Sequence, residues 1–395
     1  MKIVAVLYPG GPTATETPDL LGCAENALGL REMLESGGHD LVSISDTGSE
    51  LESHLPTADV LIATPFWPAY ITRERIEKAP NLRLLLTAGV GSDHFDLAAA
   101  AERNITVAEI TGSNVVSVAE HVVMQILALV RNYFPSYQEV IGGGWDIGKV
   151  AARSHDLEDK TVGIVGFGRI GQRVAARLKP FDVSLRYFDN RRLATVEEQV
   201  LGARYSQLDP LIRESDVVSI NIPLTPTTQG LFDREKLYSM KKGAYLVNTA
   251  RGRIVDTEAL VEVMEAGHLS GYAGDVWYPQ PAPADHPWRT MPNHAMTPHV
   301  SGTSLEAQKR YSDGIRDCLV NFIAGTPIDR DYIIVEGGQV TSPSYSYAYE
   351  SQTILRSGHL TGEDGLAQLS QHRLRAVNGK DGHRNVVVPG FRDYV

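Results

Sequence analysis

Three short runs end in residues that could act on a small anion. "NTARGRIVD" carries Arg251, "AGDVW" carries Asp275, and "MTPHVSG" carries Pro298 and His299. Each follows an apolar, strand-like segment, and parallel strands of a doubly wound sheet end in the crevice where ligands bind. An arginine there suits a bidentate grip on a carboxylate. A histidine can move a proton or simply hold a hydrogen bond. Taken singly, Arg251 is as well explained by a surface salt bridge and His299 by a structural hydrogen bond. Three successive strand ends together favour an anion site.

A second motif says what could lie beside that anion. "VGIVGFGRIG" places Gly166, Gly168 and Gly171 after a strand and at the head of a helix. The first glycine permits the tight turn, the second a close approach to a pyrophosphate, and the third close packing of helix on strand. A helix N-terminus with free N–H groups favours the negative charge. A lone glycine motif is weak, but Asp189 follows Gly171 by 18 residues in "LRYFDN". A carboxylate there accepts bonds from ribose hydroxyls and repels a 2′-phosphate, so NAD is favoured over NADP. Arg191 and Arg192 offset part of that repulsion, which leaves some NADP use open.

The elements that must hold these residues follow from periodicity. "KIVAVLY", "HDLVSIS", "DVLIAT", "LRLLLTAG" and "ITVAEI" are strand-like and alternate with helical patterns such as "NALGLREMLESGG". That rhythm is β-α-β with a parallel sheet. Residues 115–134 read as one long apolar-periodic helix, a bridge between domains or a dimer face. A second series runs from "KTVGIVGFGRIGQRVAARL" through "VSLRYFD", "DVVSINIP", "GAYLVNTA", "YAGDVW" and "AMTPHV". After residue 300 a helical segment returns to the first domain. The expected fold is α/β: two Rossmann-like doubly wound parallel-sheet domains with a deep cleft between them. Residues 1–114 and 302–340 form a discontinuous substrate domain, and 115–301 an NAD-binding domain. Residues 341–395, beginning near "SPSYSYAYESQ", are expected to be an extended, partly disordered tail.

Composition narrows the class. A chain of 395 residues suits two domains plus an appendage. A formal charge of -11 disfavours nucleic acid and anionic membranes as partners, although a small anion answers to the local field. Cys23 and Cys318 have no metal-ligand spacing, so no metal site is expected and both read as small core residues. With no secretory leader pattern and no run of about 18 apolar residues, a cytoplasmic location is expected.

The order of "SVAEHV", "GFGRIG", "NTARG", "GDVW" and "TPHVSG" resembles the D-2-hydroxyacid dehydrogenase superfamily. More narrowly, "TPFWPAY", "TAGVGSDHFDL", "SNVVSVAEHVV", "LVRNY" and "DVWYPQPAPADHPWRTMP" resemble NAD-dependent formate dehydrogenase from residue 60 to about 337. The resemblance implies that Asn114 and Arg251 hold the formate carboxylate and that Gln280 and His299 form a hydrogen-bonded pair beside it. Pro65, Phe66 and Val90 would wall the pocket. Arg169, Ile170, Pro223, Thr249, Asp275, His299, Ser301 and Gly302 would join the glycines and Asp189 around NAD. It also implies a homodimer built through the NAD-binding domain. Thr225 departs from the histidine often found in bacterial relatives, which touches a minor cofactor contact.

Gln280 fits this chemistry. A hydroxyacid must lose an O–H proton as its carbon gives up hydride, and a histidine paired with a carboxylate is tuned for that. Formate has no hydroxyl, and its oxidation leaves neutral carbon dioxide. A glutamine can orient His299 without adding charge. Two other functions remain open on sequence. A D-2-hydroxyacid dehydrogenase would want an acid near position 280, where Asp285 is the nearest. A non-catalytic NAD-sensing module would need the cofactor fold without a complete substrate set.

Overall fold

The computed structural model describes residues 1–345, whose strands sort into two seven-stranded sheets. The first begins with β1 (Lys2–Val6), β2 (Asp40–Ile44), β3 (Val60–Ala63), β4 (Leu84–Thr87) and β5 (Thr106–Glu109). These strands pair in parallel in the order β2-β1-β3-β4-β5. Strands covered on both faces need apolar residues at every position. β3 (VLIA) and β4 (LLLT) are buried throughout.

The second sheet holds β6 (Thr161–Val165), β7 (Ser184–Phe188), β8 (Ala203–Tyr205), β9 (Val217–Ile220), β10 (Tyr245–Asn248), β11 (Gly271–Gly274) and β12 (His294–Met296). It is parallel throughout, in the order β8-β7-β6-β9-β10-β11-β12. That is the dinucleotide-binding order, with its direction reversing between β6 and β9. In the first sheet the reversal lies between β1 and β3. Both crevices therefore open beside residues singled out above: Gly166 after β6, and Pro65 and Phe66 after β3.

The chain returns to the first sheet through the helix Leu305–Ala324. Ser304 caps it by accepting from the Ala307 amide. Its Tyr311, Ile315, Cys318 and Leu319 are buried in the core under β1 and β3. Both cysteines are buried free thiols, and burial pushes the Cys318 thiol up to about 12. Beyond this helix, β13 (Ile333–Glu336) and β14 (Gln339–Val340) add an antiparallel edge next to β5. The all-parallel expectation for that sheet is thus corrected at one edge.

The long helix expected over 115–134 is also corrected. It stops at Val130, and a second helix, Tyr133–Ile141, leaves at 67°. The break is Asn132, which takes a left-handed conformation (φ 51°) and donates from its side chain to the Val150 carbonyl at 2.9 Å. Asparagine tolerates that conformation through local hydrogen bonds. The first helix packs Val118, Val122 and Ile126 into the second sheet's core, whereas the second buries none of its residues.

Gly314 lies where the return helix meets the first sheet, and a Cβ there would come within 2.5 Å of Ile110 Cγ2. Alanine in a helix gains about 1 kcal/mol over glycine, while overpacking a core costs about 1–3 kcal/mol. Gly314→Ala is therefore expected to lower stability by about 1 kcal/mol in urea unfolding. A more stable variant would show that this contact yields freely.

Candidate active site

The site is built from the carboxyl ends of strands in both sheets. After β10, the fully buried Asn248 shapes the turn: its Nδ2 donates to the Arg251 carbonyl at 3.0 Å, and its Oδ1 accepts from the Ala250 amide at 3.0 Å. Thr249 is buried in that turn, and Arg251 emerges from it. Arg251 Nε donates to Asp93 at 2.7 Å, Nη1 to the Ala250 carbonyl at 2.8 Å, and Nη2 to the Val90 carbonyl at 3.3 Å. One N–H on each terminal nitrogen then remains for an anion. Burial works against the guanidinium charge, but Asp93 leads the groups that outweigh it, and the pKa rises.

The loop that receives Arg251 needs glycine. Gly91 has φ +104°, and a Cβ on it would lie 1.7 Å from Arg251 Nη2. No side chain fits there.

His299 follows β12 and also has left-handed backbone (φ 58°). Asp275 holds that conformation. Its Oδ1 accepts from the Thr297 hydroxyl at 2.6 Å and the Val300 amide at 2.8 Å, and its Oδ2 from the Ser301 amide at 2.8 Å. Both carboxylate oxygens are therefore engaged in building the histidine turn, a role that position at a strand end did not reveal.

Gln280 fixes the other side of the ring. Its Nε2 donates to the carbonyls of Pro65 (3.2 Å) and Phe66 (2.8 Å), so its Oε1 faces His299 Nδ1 at 3.0 Å. The carbonyls decide the amide's orientation, because only its nitrogen can donate to them. His299 Nδ1 must then be the donor, leaving Nε2 without a proton in the neutral ring. Burial pushes His299 down to about 4, with Asp275 pulling up and Arg251 pushing down. Asp285 is exposed, and among the described residues the partner of His299 Nδ1 is the Gln280 amide oxygen rather than a carboxylate.

The remaining residues line the gap. Phe66 stands edge-on to the His299 ring, centroids 6.3 Å apart, and its neighbour Pro65 is buried. Val90 is half-buried in the loop facing Arg251. Asn114 opens the interdomain helix, is 8% exposed, and its Oδ1 has no partner among the described residues. A carboxylate only accepts, so the group Asn114 can offer a bound anion is its Nδ2 N–H rather than that oxygen. Gly302 leaves room for it: a Cβ there would lie 2.7 Å from Asn114 Nδ2.

Beside this pocket, the residues present fit a dinucleotide. Gly166 has φ +92°, and a Cβ would strike the Asn221 carbonyl at 2.6 Å. Gly171 seats the helix Arg169–Leu178 against the Gly166 carbonyl, which a Cβ would meet at 2.2 Å. A Cβ on Gly168 would meet nothing within 4 Å, and no side chain caps the helix, so its first amides face open space. Asp189 accepts from the Phe167 amide at 2.7 Å and the Arg191 amide at 3.1 Å, which places its carboxylate over the glycine turn. Arg192 is committed to Glu198, by Nε at 2.9 Å. Ile170 packs on the core, and Arg169 is exposed in a weak ion pair with Asp331 at 3.5 Å. Pro223 is exposed after β9, its carbonyl accepting from Thr228. Thr225 is buried, with its hydroxyl paired to its Thr227 and Thr228 neighbours.

The sequence reading did not assign roles to Asp93, Glu109 or Tyr345. Asp93 sits in the "TAGVGSDHFDL" run, and that shared motif was the available signal. Glu109 ends β5 fully inside the protein, and burial raises its pKa. Tyr345 lies in the segment expected to be a tail, yet it is 3% exposed. Of the segment 341–395 expected as a tail, the part after residue 345 lies outside the described residues.

Over 348 residues the chain is 52% identical to the mitochondrial formate dehydrogenase of Solanum tuberosum, covering 87% of this chain and 91% of the relative. The chain belongs to the formate dehydrogenase family. Formate dehydrogenase of Pseudomonas sp. (strain 101) is 51% identical over 88% of this chain and 89% of its own. The NAD-dependent formate dehydrogenase of Staphylococcus aureus, solved in complex with NAD, has a TM-score of 0.80 and 53% identity, covering 85% and 99% of the two chains. Residues 123–301 match the NAD binding domain of the D-isomer specific 2-hydroxyacid dehydrogenases, the wider group that includes this formate dehydrogenase fold.

The buried imidazoles make folding sensitive to mild acid. His94 and His299 are both pushed by burial down to about 4, and burial also lowers His121 and His294. Between the ordinary histidine value and about 4, the unfolded chain binds protons that the folded chain refuses, so stability rises with pH there. It is expected to be fully present above about pH 6.5 and to fall as pH drops towards 4. Urea midpoints measured from pH 7 to pH 5 should decline steadily. A flat series would mean the rings protonate inside the fold.

Proposed function

We propose that this protein oxidises formate to carbon dioxide, with direct transfer of the formyl hydrogen as hydride to NAD+ and no metal. The observation that carries the reading is the Gln280–His299 pair, a neutral amide bonded to a neutral imidazole beside Arg251. Bound NAD+ supplies the electrophilic carbon that accepts hydride. Arg251 and Asn114 hold the two carboxylate oxygens, turning the C–H towards the cofactor. His299 offers its unprotonated Nε2 to the pocket and keeps its ring fixed through Gln280. Pro65, Phe66 and Val90 exclude water, and the product is uncharged. No proton moves in that step, so no general base is needed.

Asp93 matters to the rate. Formate loses its charge as it reacts, so an arginine that gripped it too hard would stabilise the ground state and slow the chemistry. The Asp93 carboxylate 2.7 Å from Nε draws off part of that grip. The hydroxyacid alternative asks for a carboxylate on His299 Nδ1, and the amide oxygen of Gln280 occupies that place.

The test is NADH absorbance with formate against D-lactate, and turnover of D-lactate alone would overturn the assignment. For formate, kcat/KM should be flat between pH 6 and 9 as far as His299 is concerned, because its pKa of about 4 lies below that window. Gln280→Glu places a carboxylate against the Pro65 and Phe66 carbonyls and next to the ring. Its charge raises the imidazole pKa and repels formate once the ring is neutral. The variant is expected to lose roughly tenfold or more in kcat/KM, with a new inflection near neutrality and activity falling as pH rises. An unchanged profile would remove the neutral-pair account.

We further propose a homodimer. Tyr133, Tyr137, Ile141, Trp145 and Ile147 are all about half or more exposed, on and just after the helix Tyr133–Ile141. A nine-residue helix with no buried residue cannot hold itself in water, and a contiguous apolar patch marks an interface. A second copy of this chain, joined through the domain that carries the glycine turn, would cover it. Light scattering should give twice the chain mass, and Tyr137→Glu with Ile141→Glu should give monomers. A wild-type monomer would remove the proposal.

A further inference from the structure

Behind Arg251 lies a buried polar cluster of Thr87, Ser92, Glu109 and Tyr345. Glu109 Oε2 accepts from the Gly91 amide at 3.0 Å and the Ser92 hydroxyl at 2.9 Å. Ser92 Oγ also pairs with Thr87 Oγ1 at 2.8 Å. The Ser92 amide is satisfied from far along the chain: it donates to the Tyr345 hydroxyl at 2.9 Å, across 253 residues. That hydroxyl in turn directs its proton to Glu109 Oε2 at 3.5 Å. Tyr345 thus closes a cluster whose other members fix Gly91 and Ser92. Those two residues lie between two of the three groups that hold the guanidinium, the Val90 carbonyl and the Asp93 carboxylate.

We propose that Tyr345 is a positioning residue for formate: its hydroxyl, with Glu109, locks the Gly91–Ser92 backbone and so sets the guanidinium of Arg251. This rests on the formate reading above. The physical argument is satisfaction of a buried donor. Without the phenolic oxygen, the Ser92 N–H is left inside the protein with no acceptor, and the loop must move to find one. The loop cannot move alone. Gly91 packs so closely on Arg251 that even a methyl group would collide with Nη2, and Asp93 is bonded to Nε. A shift therefore reaches the substrate arginine directly. The glycine turn and Asp189 belong to the other sheet, so the dinucleotide site is left as it is.

The consequence separates binding from chemistry. Arg251 holds an anion whose charge disappears on reaction, so a loosened guanidinium costs ground-state capture more than the rate of the bound complex. Tyr345→Phe keeps the ring and removes only the oxygen. It is expected to raise the formate KM about tenfold, with kcat and the NAD Kd within about twofold of wild type. Azide, a linear anion that needs the arginine but undergoes no hydride transfer, should lose inhibition in parallel. Glu109→Gln is expected to show the same split, and it decides the matter should Tyr345→Phe fail to fold. Either folded variant with wild-type formate KM, or with a loss confined to kcat, would overturn the proposal. A wild-type protein inert towards formate would instead overturn the functional reading.

Discussion

The side-chain amide of Gln280 can lie only one way round. Two main-chain carbonyls, of Pro65 and Phe66, point at it from the first sheet and accept only from a donor. The nitrogen must face them, the oxygen must face His299, and the ring must carry its proton on Nδ1. The tautomer of the imidazole is thus set by backbone in another domain. A carboxylate in the same place would confront those carbonyls with negative charge. The substitution of amide for acid is therefore fixed by packing as well as by the absence of a proton to move.

The arginine is governed by an opposed pair of demands. In the proposed reaction it attracts a one-carbon anion, yet must release its advantage as that anion becomes neutral. A bare buried guanidinium would serve the first demand only. Asp93 and the Val90 and Ala250 carbonyls temper it directly, and Glu109 holds the neighbouring Gly91 amide. Asp275 does comparable work for the histidine, holding a strained turn with three hydrogen bonds rather than acting on substrate.

Much of the framework is written locally and could be read from sequence. The glycine turn, Asp189 and the apolar strands depend on neighbours a few residues away, and their periodicity survives in a single chain. The break at Asn132 escaped because the apolar repeat continues past it while the backbone turns left-handed. Arg251, His299 and Gln280 were recognisable from their motifs, but the amide's orientation was not, because its partners lie 214 and 215 residues away. Tyr345 was the least legible. It stands in a stretch without periodicity, and only the buried Ser92 amide gives it meaning.

Arg251 rises from the second sheet, and its counter-ion Asp93 belongs to the first. The ion pair is consequently a latch as well as an electrostatic device. Separating the two sheets would break this pair and release the guanidinium from Asp93. On the proposed reading, capture of a tiny acid would then report on whether the two halves stay together.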